Sequence, residues 1–406
     1  MTVDAEERAT TLAAVLDEHA AESARLRRLA PAVLDAATAS DLFRMVVPTA
    51  FGGEGRTLRE LIDTTRTLAT GCPASAWTLS FLVMHNWLLT RFPEQLQQEV
   101  LGSDRGYGLV PAPLAPTGTL RAAVGPDGEA GWQVDGRWEW ATGVRHADRV
   151  MVTGLEDRDD AFVARFAVLP IEDVVVQDVW DMSGMQATGS DTVEVHGAFV
   201  PEHRTVVAED LLEPAAPVDG AGMAHLPVMA VLALTAAAPA VGAAERAVDE
   251  YERRLRERVL AYSFGDRAVD QPAAQVRLGT ALADVRAARA ALDGAVDALE
   301  EAFGGPGGPG APGEDGAPGE DVAERGLQVR MAVRLAAADA VRRSVAVIGD
   351  VCASSGASVY RNDAPLQRLQ RDVEVLKGHV VFDWDRTTEL AGRVALGLPL
   401  RPADRI

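Results

Sequence analysis

Arg371-Asp372-Val373-Glu374-Val375-Leu376-Lys377-Gly378-His379-Val380-Val381-Phe382 sets a histidine beside a glycine, a few residues after an Arg-Asp pair. At about 100° per residue, the spacing predicts that Asp372, Leu376, His379 and Asp383 share one helical face. Gly378 removes the side chain next to the histidine, so another group is expected to approach His379 closely. Val380 follows it, and a valine cannot take up a proton.

Upstream the helical pattern continues. Val322 to Ile348 reads as a long alanine-rich helix, and Leu278, Leu282, Val285, Leu292, Val296, Leu299 and Phe303 recur at threes and fours. Between them, Gly304 to Asp321 consists of Gly-x-y triplets. These are too few for a self-standing collagen helix, so 304–321 is read as a flexible linker between two bundle helices. The most apolar run, Leu226 to Ala244, contains Pro227, Pro239, Gly242 and many alanines, which suit a tightly packed bundle helix better than a lipid-facing span of ~20 residues.

From about residue 115 the period changes to two. Pro126-Asp127-Gly128 marks a turn before Trp132 and Val134, and Asp135-Gly136 is predicted to form a hairpin leading into Trp138 and Trp140. Val150 to Thr153, Phe162 to Val168, Val174 to Val176 and Val193 to Val195 read as further short strands. Before this region, Leu12, Val15 and Leu16 open one helical stripe, and Leu26, Leu29, Val33 and Leu34 open a second. After Pro73, a helix is predicted to carry Trp77, Phe81, Met84, His85 and Leu88 along one side. His85 thus sits on an apolar face, where the spacing alone reads as a satisfied core histidine.

With 406 residues and 48% apolar content, the chain can bury a large core. Its formal charge of −21 disfavours nucleic acid and anionic membrane as partners. The acidic start, Met1-Thr2-Val3-Asp4-Ala5-Glu6-Glu7, does not read as a signal peptide, so a cytoplasmic protein is expected. Cys72 and Cys352 have no metal-like spacing; buried free thiols, no disulfide framework and no metal site are expected.

The order of helices, β-region and helical bundle, together with the final segment, resembles the acyl-CoA dehydrogenase superfamily over the whole chain. Three other stretches carry the resemblance: Val47-Pro48-Thr49-Ala50-Phe51-Gly52-Gly53, Gly184-Met185-Gln186-Ala187-Thr188-Gly189-Ser190, and Val200-Pro201-Glu202-His203-Arg204. The implied fold is α+β and acyl-CoA dehydrogenase-like. It would comprise an N-terminal α-helical domain (1–112), a middle β-domain (113–215) and a C-terminal four-helix bundle (216–406). Many dehydrogenases place their catalytic glutamate nine residues after the arginine of the Arg-Asp pair, where this chain has Val380. The two-component flavin-dependent monooxygenases known as group D aromatic hydroxylases place a histidine one residue earlier, which His379 matches.

The resemblance therefore implies the oxygenase component of such a monooxygenase. It would use reduced flavin and O2 through a C4a-hydroperoxyflavin to hydroxylate a small aromatic, phenolic or polyketide-like substrate. The expected cofactor is reduced FMN or FAD. The arginine of a dehydrogenase Arg-x-x-Phe-Gly motif is replaced by Ala261 before Phe264-Gly265, which favours FMN. Expected partners are an NAD(P)H-dependent flavin reductase and further copies of the chain in a homotetramer. N- or S-oxygenation, such as amino-sugar N-oxidation, and an acyl-CoA dehydrogenase-like activity with an atypical base stay open.

A flavin needs hydroxyl and backbone donors at its polar edge and an apolar floor. The resemblance assigns these to Trp140, Ala141, Thr142 and Gly143 and to Thr188, Gly189 and Ser190. It assigns Ser354, Ser355 and Gly356 to the flavin phosphate or ribose across a subunit interface, where a helix C-cap loop is the plainer reading. Thr142 and Ser190 would hydrogen-bond the flavin near N5, His85 would orient a substrate oxygen, and His379 would act as base. His146 and His203 are expected to be surface or loop residues.

Overall fold

A computed structural model describes residues 3–156, 163–215, 218–261, 263–304, 320–401 and 404. Helices α1 (Val3–Glu18), α2 (Ala20–Leu26), α3 (Pro31–Ala39), α4 (Leu58–Gly71), α5 (Pro73–Leu89) and α6 (Glu94–Val100) lead the chain. Strands β1 (Gly118–Val124), β2 (Ala130–Ala141), β3 (Arg149–Glu156), β4 (Ala164–Pro170), β5 (Val175–Gln177), β6 (Asp191–Pro201) and β7 (Thr205–Val207) follow. The chain then returns to helices α7 (Ala208–Leu212), α8 (Val228–Glu257), α9 (Pro272–Gly304), α10 (Glu320–Ser354), α11 (Pro365–Leu376) and α12 (Trp384–Ala395). The architecture is the expected α+β arrangement of an acyl-CoA dehydrogenase-like fold. The predicted 304–321 linker falls almost wholly outside the described residues, as does Phe162.

Local sequence explains why α5 stands at the centre. Thr57 and Glu60 form a capping box that starts α4, and Cys72 leaves α4 in an extended conformation so that Pro73 can open α5 at its first turn. Every residue of α5 is buried. It therefore has no solvent side, in contrast to the one-sided apolar face expected from the sequence. Helices α4, α8 and α11 pack around it, as does the short turn Gln186–Thr188. α8 is long and apolar enough to cross a membrane by composition, but 89% of its most apolar window is buried inside the fold.

The sheet runs β5-β6-β2-β1-β3-β4-β7, antiparallel except where β1 pairs with β3. Its inner face buries Trp138, Val134, Leu120, Val150 and Val193. The predicted hairpin at Asp135-Gly136 is absent, because both residues lie inside β2, which runs unbroken between β1 and β6. The turn is at Pro126-Asp127-Gly128, where Gly128 takes φ 81°. Gly136 is small for a different reason: a Cβ there would stand 2.6 Å from Gly118 Cα. The opposite strand absorbs the irregularity, since Val134 pairs with Ala198 and Asp135 with His196, leaving Gly197 as a bulge.

The end of the chain also departs from expectation. α11 stops at Leu376; Gly378 N–H and His379 N–H donate to the carbonyls of Val375 and Leu376, tightening the last turn. His379 is extended (φ −65°, ψ 135°) and Asp383 caps α12, so Asp372, Leu376, His379 and Asp383 do not share one helical face. Gly378 is exposed, and a Cβ there would meet only Val375 O at 3.2 Å. The glycine serves the turn and opens no approach to the histidine.

Candidate active site

Three aromatic side chains one helical turn apart organise the site. Trp77, Phe81 and His85 climb one edge of α5, with ring centroids 4.7 Å and then 5.7 Å apart. His379 extends this ladder from the other end, 5.5 Å from Trp77, with Phe382 5.9 Å away on its other side. The two histidines flagged by the sequence are thus joined through one aromatic wall, although 294 residues separate them in the chain.

Their protons differ. His85 is 2% exposed and its Nδ1 lies 2.6 Å from Val110 O. A carbonyl only accepts, so Nδ1 carries the proton and Nε2 keeps a bare lone pair. Val110 is fixed in turn by Asn86, whose side chain bonds Gly108 on both its N–H and its C=O. His379 has the opposite tautomer: Val381 N–H donates to its Nδ1 over a long 3.4 Å, which leaves the proton on Nε2. Burial among apolar rings pushes both imidazoles down to about 4, so both are neutral near pH 7.

The hydroxyl cluster packs on the neighbouring face of α5. A Cβ added to Gly143 would meet Thr78 Cγ2 at 3.1 Å and Leu82 Cδ1 at 3.3 Å. Beside it, Thr142 Oγ1 lies 2.9 Å from Ser190 Oγ, which lies 2.8 Å from Thr188 Oγ1. Thr188 Oγ1 donates to Met185 O at 3.0 Å, and Gly143 N–H donates to Thr188 O at 2.8 Å, joining the two turns. Thr142 is half-buried, whereas Thr188 and Ser190 are buried, so the outer end of the row is its accessible end.

Two features of this turn were not legible as site features in the sequence. Met185 holds a left-handed backbone, φ 51°, unusual for a side-chain-bearing residue. Asp372 Oδ1 fixes it by accepting from Met185 N–H at 2.6 Å, and Trp180 Nε1 donates to Met185 O at 3.0 Å. Burial raises Asp372 to about 6, partly countered by that hydrogen bond and by Arg368 and Arg371. The Arg-Asp pair was a signal for its aspartate, but the partner lies 187 residues away.

The other assigned residues divide. Ala141 is fully buried under the turn, while Trp140 is 59% exposed, adopts φ 69° and meets Trp180 edge-on at 5.5 Å. Ser354 and Ser355 turn their hydroxyls back to the carbonyls of Asp350 and Val351, both at 2.7 Å, and Gly356 follows with φ 76°. That is a helix C-cap, with Arg254 bonded to Ser355 O and Ser358 Oγ. Phe264 is fully exposed on the loop between α8 and α9. His146 is not a free surface residue: its Nε2 accepts from Leu29 N–H at 3.1 Å. His203 bonds Glu99 at 2.7 Å. A groove of about 400 Å³ between α1 and α3 holds no histidine, and its Arg8 is paired with Glu54.

The residues fit a flavin. A row of hydroxyls ends at an accessible oxygen, left-handed turns bring backbone close, and Trp140 and Trp180 offer apolar surface beside them. In comparisons with known proteins, the family described as acyl-CoA dehydrogenase, C-terminal domain, matches residues 234–384. The chain is 31% identical over 398 residues to the flavin-dependent monooxygenase, oxygenase subunit HsaA, of Rhodococcus jostii (strain RHA1), covering 97% of this chain and 98% of that protein. The crystal structure of 3-HSA hydroxylase from Rhodococcus sp. RHA1 superposes with TM-score 0.84 at 27% identity, covering 98% of each chain. XiaF from Streptomyces sp., in complex with FADH2 and glycerol, superposes with TM-score 0.87 at 25% identity, covering 99% of this chain and 96% of that one.

Proposed function

Because this chain belongs to the oxygenase subunits of flavin-dependent monooxygenases built on the acyl-CoA dehydrogenase fold, we propose that His85 takes the hydroxyl proton of a phenolic substrate and that His379, at the other end of the aromatic ladder, helps to orient that substrate. The enzyme is an oxidoreductase, the oxygenase component of a two-component system, and hydroxylates an aromatic compound. Reduced flavin comes from a separate reductase; bound beside Thr142 and Ser190, it would supply the two electrons with which one atom of O2 enters the substrate and the other leaves as water. An NAD(P)H-dependent reductase and a phenolic or polyketide-like ring are the finer parts of this reading.

The opposed tautomers support the division of labour. His85 Nε2 offers a lone pair to the substrate O–H, and His379 Nε2–H, at the other end of the ladder, offers a proton to a second acceptor of the substrate. This supports the base role for His85, where the family resemblance implies His379. Complete deprotonation before reaction is disfavoured: moving a proton from a phenol (pKa ~10) to an imidazole near 4 is roughly 8 kcal/mol uphill. His85 instead takes the proton as the ring gains oxygen and the hydroxyl becomes far more acidic. The apolar wall of Trp77 and Phe81 excludes water from that transfer.

Thr142 and Ser190 are proposed to contact the flavin near N5, with Trp140, Ala141, Gly143, Thr188 and Gly189 forming the cradle. Ser354, Ser355 and Gly356 are retained for its phosphate or ribose on a neighbouring subunit. Exposed Phe264 (111%) on the α8–α9 connection and Val276 (68%) near the start of α9 support a homotetramer that covers them. Val380, 63% exposed and unable to accept a proton, withdraws support from acyl-CoA dehydrogenation.

The observation that carries this reading is the neutral, oppositely protonated histidine pair on one aromatic ladder. With a flavin reductase, NAD(P)H, FMN or FAD and O2, the enzyme is expected to hydroxylate members of a panel of phenols. Product formed equally well from oxidised flavin and NAD(P)H without any reductase would overturn the two-component reading.

A further inference from the structure

The row Met185 O, Thr188, Ser190, Thr142 has a direction. Each hydroxyl has one proton to give. Thr188 spends its proton on Met185 O, since a carbonyl cannot donate. Ser190 must then donate to Thr188 across 2.8 Å, and Thr142 must donate to Ser190 across 2.9 Å. What remains at the accessible end, on Thr142 Oγ1, is a lone pair.

We propose that Thr188 is a positioning residue that, through Ser190, fixes Thr142 Oγ1 as an acceptor and so makes this turn prefer reduced over oxidised flavin. The inference rests on the reading that the flavin N5 edge lies at Thr142. N5 carries a hydrogen in the reduced ring and presents a lone pair in the oxidised ring. An acceptor therefore satisfies the reduced form and opposes the oxidised one.

The terminal carbonyl is well anchored. Met185 O also accepts from Thr188 N–H at 3.1 Å and Trp180 Nε1 at 3.0 Å, while Asp372 holds Met185 N–H. For the row to reverse and donate to oxidised N5, Thr188 would have to abandon Met185 O. The cost of reversal is about one buried hydrogen bond, so the discrimination should be about tenfold in affinity.

Thr188→Val keeps the shape of this buried residue and removes only the hydroxyl. The test measures dissociation constants of the whole enzyme for oxidised FMN and FAD, and anaerobically for the dithionite-reduced forms. Wild type should bind the reduced form about tenfold more tightly, the variant should narrow that ratio towards one, and Thr188→Ser should restore it. A Thr188→Val ratio equal to wild type overturns the inference while leaving flavin binding at the site intact. If that variant fails to fold, Thr142→Val decides: loss of reduced-flavin affinity with oxidised-flavin affinity kept supports the proposal, and an unchanged ratio overturns it. Wild type that binds neither flavin would overturn the underlying placement of the cofactor instead.

Discussion

His85→Ala is expected to lower hydroxylated product by about 100-fold or more while O2 consumption continues and is returned as hydrogen peroxide. The reason lies in the tautomers. Nδ1 of His85 is committed to Val110 O, so Nε2 is the bare acceptor on the ladder, and alanine removes the group that takes the substrate proton as oxygen is transferred. Oxygen activation by bound reduced flavin does not need that group. His379→Ala removes a donor that orients the substrate, and about a tenfold loss is expected. The checks are the product-to-peroxide ratio and the flavin dissociation constant of each variant. Either way the alanine leaves a cavity and an unpaired Val110 carbonyl and lowers stability; a histidine that only fills space would lower product and oxygen consumption together, with no rise in the peroxide fraction. Equal effects at the two positions would contradict the opposed roles.

Gly184→Ala is expected to destabilise the enzyme by about 3 kcal/mol and to weaken flavin binding at least about tenfold. A Cβ at this position would stand 2.0 Å from Arg371 O and 2.9 Å from Asp372 N. These are backbone atoms of α11, so no side chain can swing away. The turn carrying Thr188 and Ser190 would have to lift off α11, breaking the short bond between Asp372 and Met185 N–H. Urea denaturation and flavin titration measure the two effects. A variant within 0.5 kcal/mol of wild type, about the range of a neutral surface change, would show that the contact between turn and helix gives way easily.

The legible part of this protein was the part encoded in order and period. Long apolar repeats announced α8, α9 and α10, the alternation from Trp132 onwards announced the sheet, and four short stretches in a fixed order announced the family. What escaped depends on partners distant in the chain. Asp135-Gly136 has the composition of a hairpin, yet β1 and β6 hold β2 straight through it, and no local rule reveals that. The face shared by Asp372 and His379 failed because the last turn of α11 tightens at Gly378, so the histidine leaves the helix before its predicted position. Both histidines were visible as candidates; which nitrogen of each holds the proton was not, because Val110 O and Val381 N–H decide it. Asp372 was seen only as half of a motif, and its contact with Met185 emerges once the bundle closes on the sheet.

A single-turnover experiment with 18O2 tests the central claim most directly. The enzyme is loaded anaerobically with reduced FMN or FAD and then mixed with 18O2 and a panel of phenols, and the products are analysed by mass spectrometry. A hydroxylated ring carrying one 18O atom per product molecule, with the rest of the reducing equivalents recovered as hydrogen peroxide, is the predicted result. Complete return of those equivalents as hydrogen peroxide, with no hydroxylated product from any phenol, or oxygen in the product drawn from water, would contradict it.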